Sequence, residues 1–255
     1  MVRITVVILI LLSYIRSTAQ EITLDKETSL EQVYMESVES GSLLPMNDLG
    51  VEFGYVLYQS VITTETERTE LRLENVRDYA VVYVDDKLQG TLTDDNKKIV
   101  LDIEPGEHQI QLYVENIGRI TYGPEILDNS KGLFGSITLG GETIENWTMT
   151  PLNIRNLAVQ SLMFEARSDK SVPGFYKGIF VIRSPQDIYL DVSGWGMGEV
   201  WINNKYLGSY WEQEKQQSIQ LGPDDLASGR NEIVVFELKN NQQKTMRLSK
   251  TPVFR

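Results

Sequence analysis

The chain has 255 residues, 41% of them hydrophobic, with 24 basic against 36 acidic side chains, a formal net charge of −12, one histidine and no cysteine. That length and apolar fraction fill one large core or two ordinary ones and exclude a disordered chain. The acidity, with no compact Lys/Arg run among aromatics, argues against a nucleic acid partner, and the missing cysteines exclude disulfides and thiolate metal sites.

In chain order, residues 1–19 read as an export signal peptide. Arg3 supplies a short basic start, Ile4 to Leu12 is apolar apart from Thr5, and "STA" at 17–19 places small residues at a cleavage site before Gln20. The apolar run is shorter than the roughly 18 to 20 residues of a spanning helix, so no membrane span is expected once the signal is removed. A periplasmic or secreted location follows. Residues 20–50 read as a lead-in segment, with a short helix in "SLEQVYMESVES" at 29–40 that would put Leu30, Val33 and Tyr34 on one side. From 51 to about 141 the texture is strand after strand: "YVLYQSVI", "TELRLENV", "YAVVYVD", "LQGTL", "KKIVLDI", "EHQIQLYVEN", "LFGSITLG". The alternation has period 2, and glycines and Asp/Asn pairs punctuate it. The same texture returns from 161 to 248, which predicts an all-β chain of two tandem β-sandwiches, over 51–155 and 156–255.

A repeat supports that division. "VYVDDKLQGTL" at 82–92 is matched by "VWINNKYLGSY" at 200–210, and "GEHQIQLYVE" at 106–115 by "GRNEIVVFEL" at 229–238. "FGYVLYQSVI" at 53–62 has a fainter echo in "FYKGIFVIRS" at 175–184. Three blocks in one order predict two copies of one fold, each copy carrying a strand, tight turn and strand at the first match.

Six ordered blocks carry a further likeness: "PMNDLGVEFGYVLYQSVI", "VRDYAVVYVDDKLQGTL", "VENIGRITYGP", "KGLFGSITLGG", "NWTMTPLNI" and "GWGMGEVWINNKYLGSYW". From about Leu44 to Lys239 the chain resembles the non-catalytic C-terminal half of the family 35 glycoside hydrolases, the β-galactosidases. The resemblance implies two galactose-binding-like jelly-roll domains. In the family these follow a TIM barrel that carries an acid/base glutamate and a nucleophilic glutamate. Passing from the leader to "PMNDLG" leaves no room for the roughly 250 residues of such a barrel, so no catalytic glutamate is carried onto this sequence. The chain departs from the family beside Tyr210-Trp211, where Ser209 precedes the pair and "EQEKQQ" replaces a Gly-Pro-Gln turn.

Candidate sites follow from residue chemistry. Trp195, Trp201, Tyr206, Tyr210 and Trp211 crowd into one stretch of the second copy, and an aromatic face stacks on the apolar face of a galactose ring while Asn203 and Asn204 offer hydrogen bonds. Trp201, flanked by Val200 and Ile202, reads as core or domain seam, whereas Trp195, Tyr210 and Trp211 lie nearer loops. The candidate sugar contacts are therefore Trp195, Asn203, Asn204, Tyr206, Tyr210 and Trp211, for β-galactosides or galactose-containing glycans. In the first copy, Glu115 and Arg119 read as a charged pair that, with Asn116, orders the loop ahead of Tyr122, and Arg77 and Asp78 as a loop-ordering pair of their own. His108 alone assembles no zinc site, "DDNKK" at 94–98 lacks the ligand order of a calcium loop, and no cofactor motif is present. Three functions remain open at this point: an accessory carbohydrate-binding module, a structural protein-interaction module, and one part of a split β-galactosidase whose TIM barrel is a separate protein.

Overall fold

The computed structural model describes residues 20–118, 124–168, 172–239 and 242–255, so the signal peptide reading and the expectations for Arg119 and Tyr122 lie outside the described residues. Strands dominate, and the helical pieces among the described residues are short 3₁₀ turns, the first at Leu30–Val33. The apolar alternation of the sequence explains this. Side chains on alternate positions point to one face, which must be covered by another sheet.

The first unit is a sandwich. One sheet has six strands in the order Val38–Ser40, Trp147–Leu152, Gly54–Thr64, Gly106–Asn116, Tyr79–Val84 and Lys87–Thr93. The other has four, in the order Glu142–Thr143, Gly132–Leu139, Arg68–Arg77 and Lys98–Asp102. Between them lies a core that includes Val56, Tyr58, Leu71, Leu73, Val82, Leu112 and Trp147. The second unit is a jelly-roll-like sheet of nine strands that curls upon itself around a core of its own, including Ile22, Tyr176, Leu190, Trp195, Tyr210 and Val235.

The strand that joins the two halves of this sheet is Glu21–Ser29. Its start pairs with Thr245–Ser249, and after an irregularity between Leu24 and Lys26 the rest pairs with Gly174–Ile182. The lead-in reading of 20–50 is corrected here: its first third is a central strand of the distant second unit, and Ile22 and Leu24 are fully buried. Burial of alternate residues in "ITLDK" at 22–26 is the physical reason, since an apolar pair two apart must face a core somewhere. The expected helix at 29–40 shortens to the single 3₁₀ turn at Leu30–Val33, which buries Leu30 and Val33; Val38–Ser40 then joins the edge of the six-stranded sheet.

The two matched hairpins are the same element. Val82 pairs Gly90 in the first and Val200 pairs Gly208 in the second, with a register shift after Val82 and after Val200 respectively. Both turns place two polar residues at positive φ, Asp85 (47°) and Asp86 (62°) against Asn203 (52°) and Asn204 (68°). Those values are the requirement of a two-residue type I′ hairpin, for which Asn and Asp are the tolerated non-glycine residues. In each unit the neighbour across the sheet is the matched strand, Gly106–Asn116 or Gly229–Glu237.

The units meet face to face. Every residue of Tyr79–Val84 and of Met197–Ile202 is buried, which a sheet with one wet face does not permit. The outward sides of these strands meet in a third apolar cluster: Tyr55, Tyr79, Val81, Tyr83 and Tyr113 from the first unit, Phe175, Met197, Trp201, Val234 and Phe236 from the second, and Ile154, Val159 and Leu162 from the connector. The Tyr83 hydroxyl donates across the seam to the Leu238 carbonyl at 2.9 Å. Trp201 thus lies in the seam, one of the two places expected of it.

Candidate functional site

The structure distributes the six candidate sugar contacts rather than gathering them on one face. Trp195 is 1% exposed, packs its ring against Tyr176 at 6.1 Å and donates its indole N–H to the Thr245 carbonyl at 3.0 Å. Tyr210 is also buried, and its hydroxyl lies 2.9 Å from the Glu237 carboxylate. Trp211 sits at the seam with its ring 5.5 Å from that of Tyr79. Asn203 and Asn204 form the hairpin turn, and the Asn203 side chain donates to Asn231 Oδ1 at 2.8 Å while accepting the Glu232 N–H at 3.0 Å. Tyr206, 41% exposed, leans on Trp201 at 5.6 Å and directs its hydroxyl to Glu199.

The loop residues divide likewise. Arg77 donates to the Asp128 carboxylate at 3.2 Å, and Asp78 accepts the Ile117 N–H at 2.9 Å and the Lys131 ammonium at 2.7 Å, so each ties down a different segment. Asn116 orders its loop through Gly118 N–H at 2.9 Å and the Val51 carbonyl at 3.3 Å. Glu115 has its expected partner, Arg119, outside the described residues. It is 2% exposed and faces the seam, where the Tyr55 hydroxyl lies 3.1 Å from its Oε1.

Two other places have the geometry of sites. The first is a polar knot within the seam, where Tyr55 also contacts Oε1 of Glu199, a fully buried carboxyl of the second unit, at 3.0 Å. Arg155 from the connector brings Nε to 3.3 Å from Glu199 and Nη2 to 3.9 Å from Glu115, and lays its guanidinium over the Phe53 ring at 3.4 Å. Burial raises the pKa of both acids, Glu115 to about 7. The signal for Glu199 was present in the sequence as a charge inside the apolar run "MGEVWI".

The second is a cleft of about 400 Å³ in the second unit. Ser193, Trp195, Glu212, Gln217, Phe254 and Arg255 line it. Residues 253–255 run along 215–218: Gln217 N–H donates to the Val253 carbonyl at 2.8 Å, Arg255 N–H to the Lys215 carbonyl at 2.8 Å, and Phe254 bridges Gln216. This fixes Arg255 so that Nη1 donates to the Glu212 carbonyl at 2.7 Å, and leaves Phe254 64% exposed. Glu212 carries an ion pair with Lys239. An exposed ring beside a carboxylate, an amide and a guanidinium combines an apolar face with donors and acceptors, which is what a sugar ring requires. No pattern in "TPVFR" announced Phe254. Its position depends on a pairing with residues 38 positions earlier.

Among the described residues no group of acids and histidines is arranged to hold a metal ion, and no helix is long and apolar enough to cross a membrane.

This architecture, a β-sandwich packed face to face on a jelly-roll-like sheet, defines a tandem all-β unit. Residues 44–153 match the β-galactosidase first all-beta domain, and residues 173–231 the β-galactosidase galactose-binding domain. The chain thus carries two of the non-catalytic all-beta domains of β-galactosidases. It is 33% identical over 181 residues to a β-galactosidase of Xanthomonas manihotis, covering 70% of this chain and 30% of that one. It is 32% identical over 200 residues to β-galactosidase-1-like protein 2 of Homo sapiens (76% and 31% covered), and 32% over 250 residues to a β-galactosidase of Bos taurus (86% and 38% covered). The chain thus spans about a third of the length of these relatives.

Proposed function

We propose that this chain serves as a non-catalytic, carbohydrate-binding accessory part of a β-galactosidase-like protein, and that the cleft at Trp195, Glu212 and Phe254 takes a galactose-type sugar. The observation that carries the reading is the exposed Phe254 ring at a cleft of about 400 Å³ with polar groups of both signs, a volume suited to one sugar ring. The membership of residues 173–231 in a domain described as galactose-binding supports it. Stacking one ring and forming two or three hydrogen bonds must offset the loss of the sugar's hydration, so the expected dissociation constant is on the order of 0.1 to 10 mM.

Titration with galactose and with methyl β-galactoside, followed by NMR, tests this. Saturable shifts should centre on 193–195, 212–217 and 253–255, and Phe254→Ala should abolish them while leaving the folded spectrum unchanged. Absence of saturable shifts at about 50 mM sugar, or shifts that survive Phe254→Ala, would overturn the assignment. In the same reading, any hydrolysis belongs to a catalytic partner. The purified chain should release no chromophore from a chromogenic β-galactoside above background between pH 4 and 8, and turnover that vanishes on replacing one of its own acids would refute that part.

A further inference from the structure

The polar knot in the seam joins two acids from different units through one phenol. The Tyr55 oxygen is 3.1 Å from Glu115 Oε1 and 3.0 Å from Glu199 Oε1, yet a phenol has a single proton to donate. If both carboxyls were ionised, one of these contacts would set an acceptor against an acceptor. The contact becomes a hydrogen bond when that carboxyl carries a proton and donates it to the phenol oxygen.

The surroundings select the acid that holds the proton. Glu199 is supplied as an anion: Tyr206 donates to Oε2, and the positive Arg155 stands nearest its Oε1, although off the line of a hydrogen bond. Glu115 is served poorly. Its Oε2 is buried with no hydrogen-bond partner, Arg155 reaches only to 3.9 Å, and the nearby Asp78 adds negative charge that Lys131 offsets from its other side. Tyr79, on the adjacent strand opposite Glu115, offers no cation. Among the described residues, the two acids therefore share one guanidinium in a place closed to water, where an uncompensated charge is costly.

We infer that the seam between the two units is a proton-operated latch, in which a proton held on Glu115 completes the chain from Glu115 through Tyr55 to Glu199 and its loss loosens the contact of the two domains. The direction follows from the raised pKa of Glu115, to about 7. An acid whose pKa is higher in the closed state keeps its proton while the open state loses it. The contribution is therefore complete below the free glutamate value of about 4.3, and is lost as pH rises from there through about 7. The seam is tight in acid and weakened above neutrality. This inference is independent of sugar binding, since none of its groups lines the Phe254 cleft.

Carboxyl-detected NMR of the full chain, labelled at glutamate, gives the first measurement: the Glu115 resonance should titrate with a midpoint near 7, and a midpoint below about 5.5 would sink the proposal. The second is hydrogen exchange of seam amides at 55–57 and 199–201 from pH 5 to 8, corrected for intrinsic rates. Protection in the wild-type chain should fall on the order of 10- to 100-fold, while Glu115→Gln, neutral at every pH, should give a flat profile. A wild-type profile without pH dependence, or an unchanged slope in Glu115→Gln, would overturn it. Should Glu115→Gln fail to fold, the wild-type titration still decides.

Discussion

The two hairpin copies use one set of hydrogen bonds with different chemistry. In the first, Asp85 N–H donates to the Gln109 carbonyl at 3.0 Å and Asp85 Oδ1 accepts the Gln109 N–H at 2.9 Å; Asp85 Oδ2 meets His108 Nδ1 at 2.6 Å, and His108 Nε2 lies 2.7 Å from the Glu104 carbonyl. In the second, Asn203 exchanges the equivalent bonds with Glu232, at 2.9 and 3.0 Å, and donates to Asn231 at 2.8 Å, while Asn231 donates to the Ala227 carbonyl at 2.9 Å. Gln109, His108 and Glu104 stand at one constant offset from Glu232, Asn231 and Ala227. The turn thus demands a side-chain acceptor at its first position and a bridging side chain opposite, and is indifferent to whether they are charged. Charge adds pH sensitivity to the first copy, and the second copy lacks it.

The largest effect is expected from the equivalent seam residues Tyr83 and Trp201. Replacing either by alanine empties a buried aromatic site and should cost about 3–5 kcal/mol in urea denaturation. If one of the two is tolerated within about 1 kcal/mol, the seam is not a shared core. Tyr83→Phe sharpens the contrast by removing the hydroxyl that bonds the Leu238 carbonyl, for about 1 kcal/mol.

Next come the matched glycines. Gly90 (φ 150°) and Gly208 (φ 144°) are both strained for any other residue, but a Cβ at Gly90 would meet Ile99 Cδ1 at 2.5 Å whereas one at Gly208 meets nothing within 4 Å. Both alanine variants should destabilise by about 1–2 kcal/mol, Gly90→Ala more than Gly208→Ala. The reverse order in thermal melts would contradict the geometry.

The smallest effect is electrostatic. The Asp85 hydrogen bond raises the pKa of His108, so the pair's contribution is complete below about 6.5 and fades as pH rises through the raised value; the Asp85 pKa is lowered by the same bond, so on the acid side the contribution persists until pH falls through it. Asp85 is half exposed, and solvent screening holds the pair to about 0.2–1 kcal/mol. Converting the first copy to the second with Asp85→Asn and His108→Asn should remove this component from urea midpoints between pH 6 and 9. Measuring it in a Glu115→Gln background separates it from the seam, which loses stability in the same direction at lower pH. An unchanged slope would mean that the pair contributes nothing.

The sequence by itself determined the strands, the duplication and both hairpins, because these depend on local rules. Period-2 alternation orients side chains, and only Asn, Asp or Gly tolerate the positive φ of those turns. Trp201 was legible for the same reason, as a large ring in mid-strand between two apolar neighbours. Tertiary structure alone decided the rest. Whether the outward face of "YAVVYV" is wet or dry depends on a second unit over 100 residues away, and so does the environment of Glu115, read as a loop-ordering charge in the sequence and a buried acid in the fold. The strand Glu21–Ser29 finds its partners near residues 178 and 246, and Phe254 is exposed at a cleft because residues 215–218 hold the segment beside it. Burial, proton affinity and cleft formation are set by which distant surfaces come together, and single-sequence patterning carries no record of that.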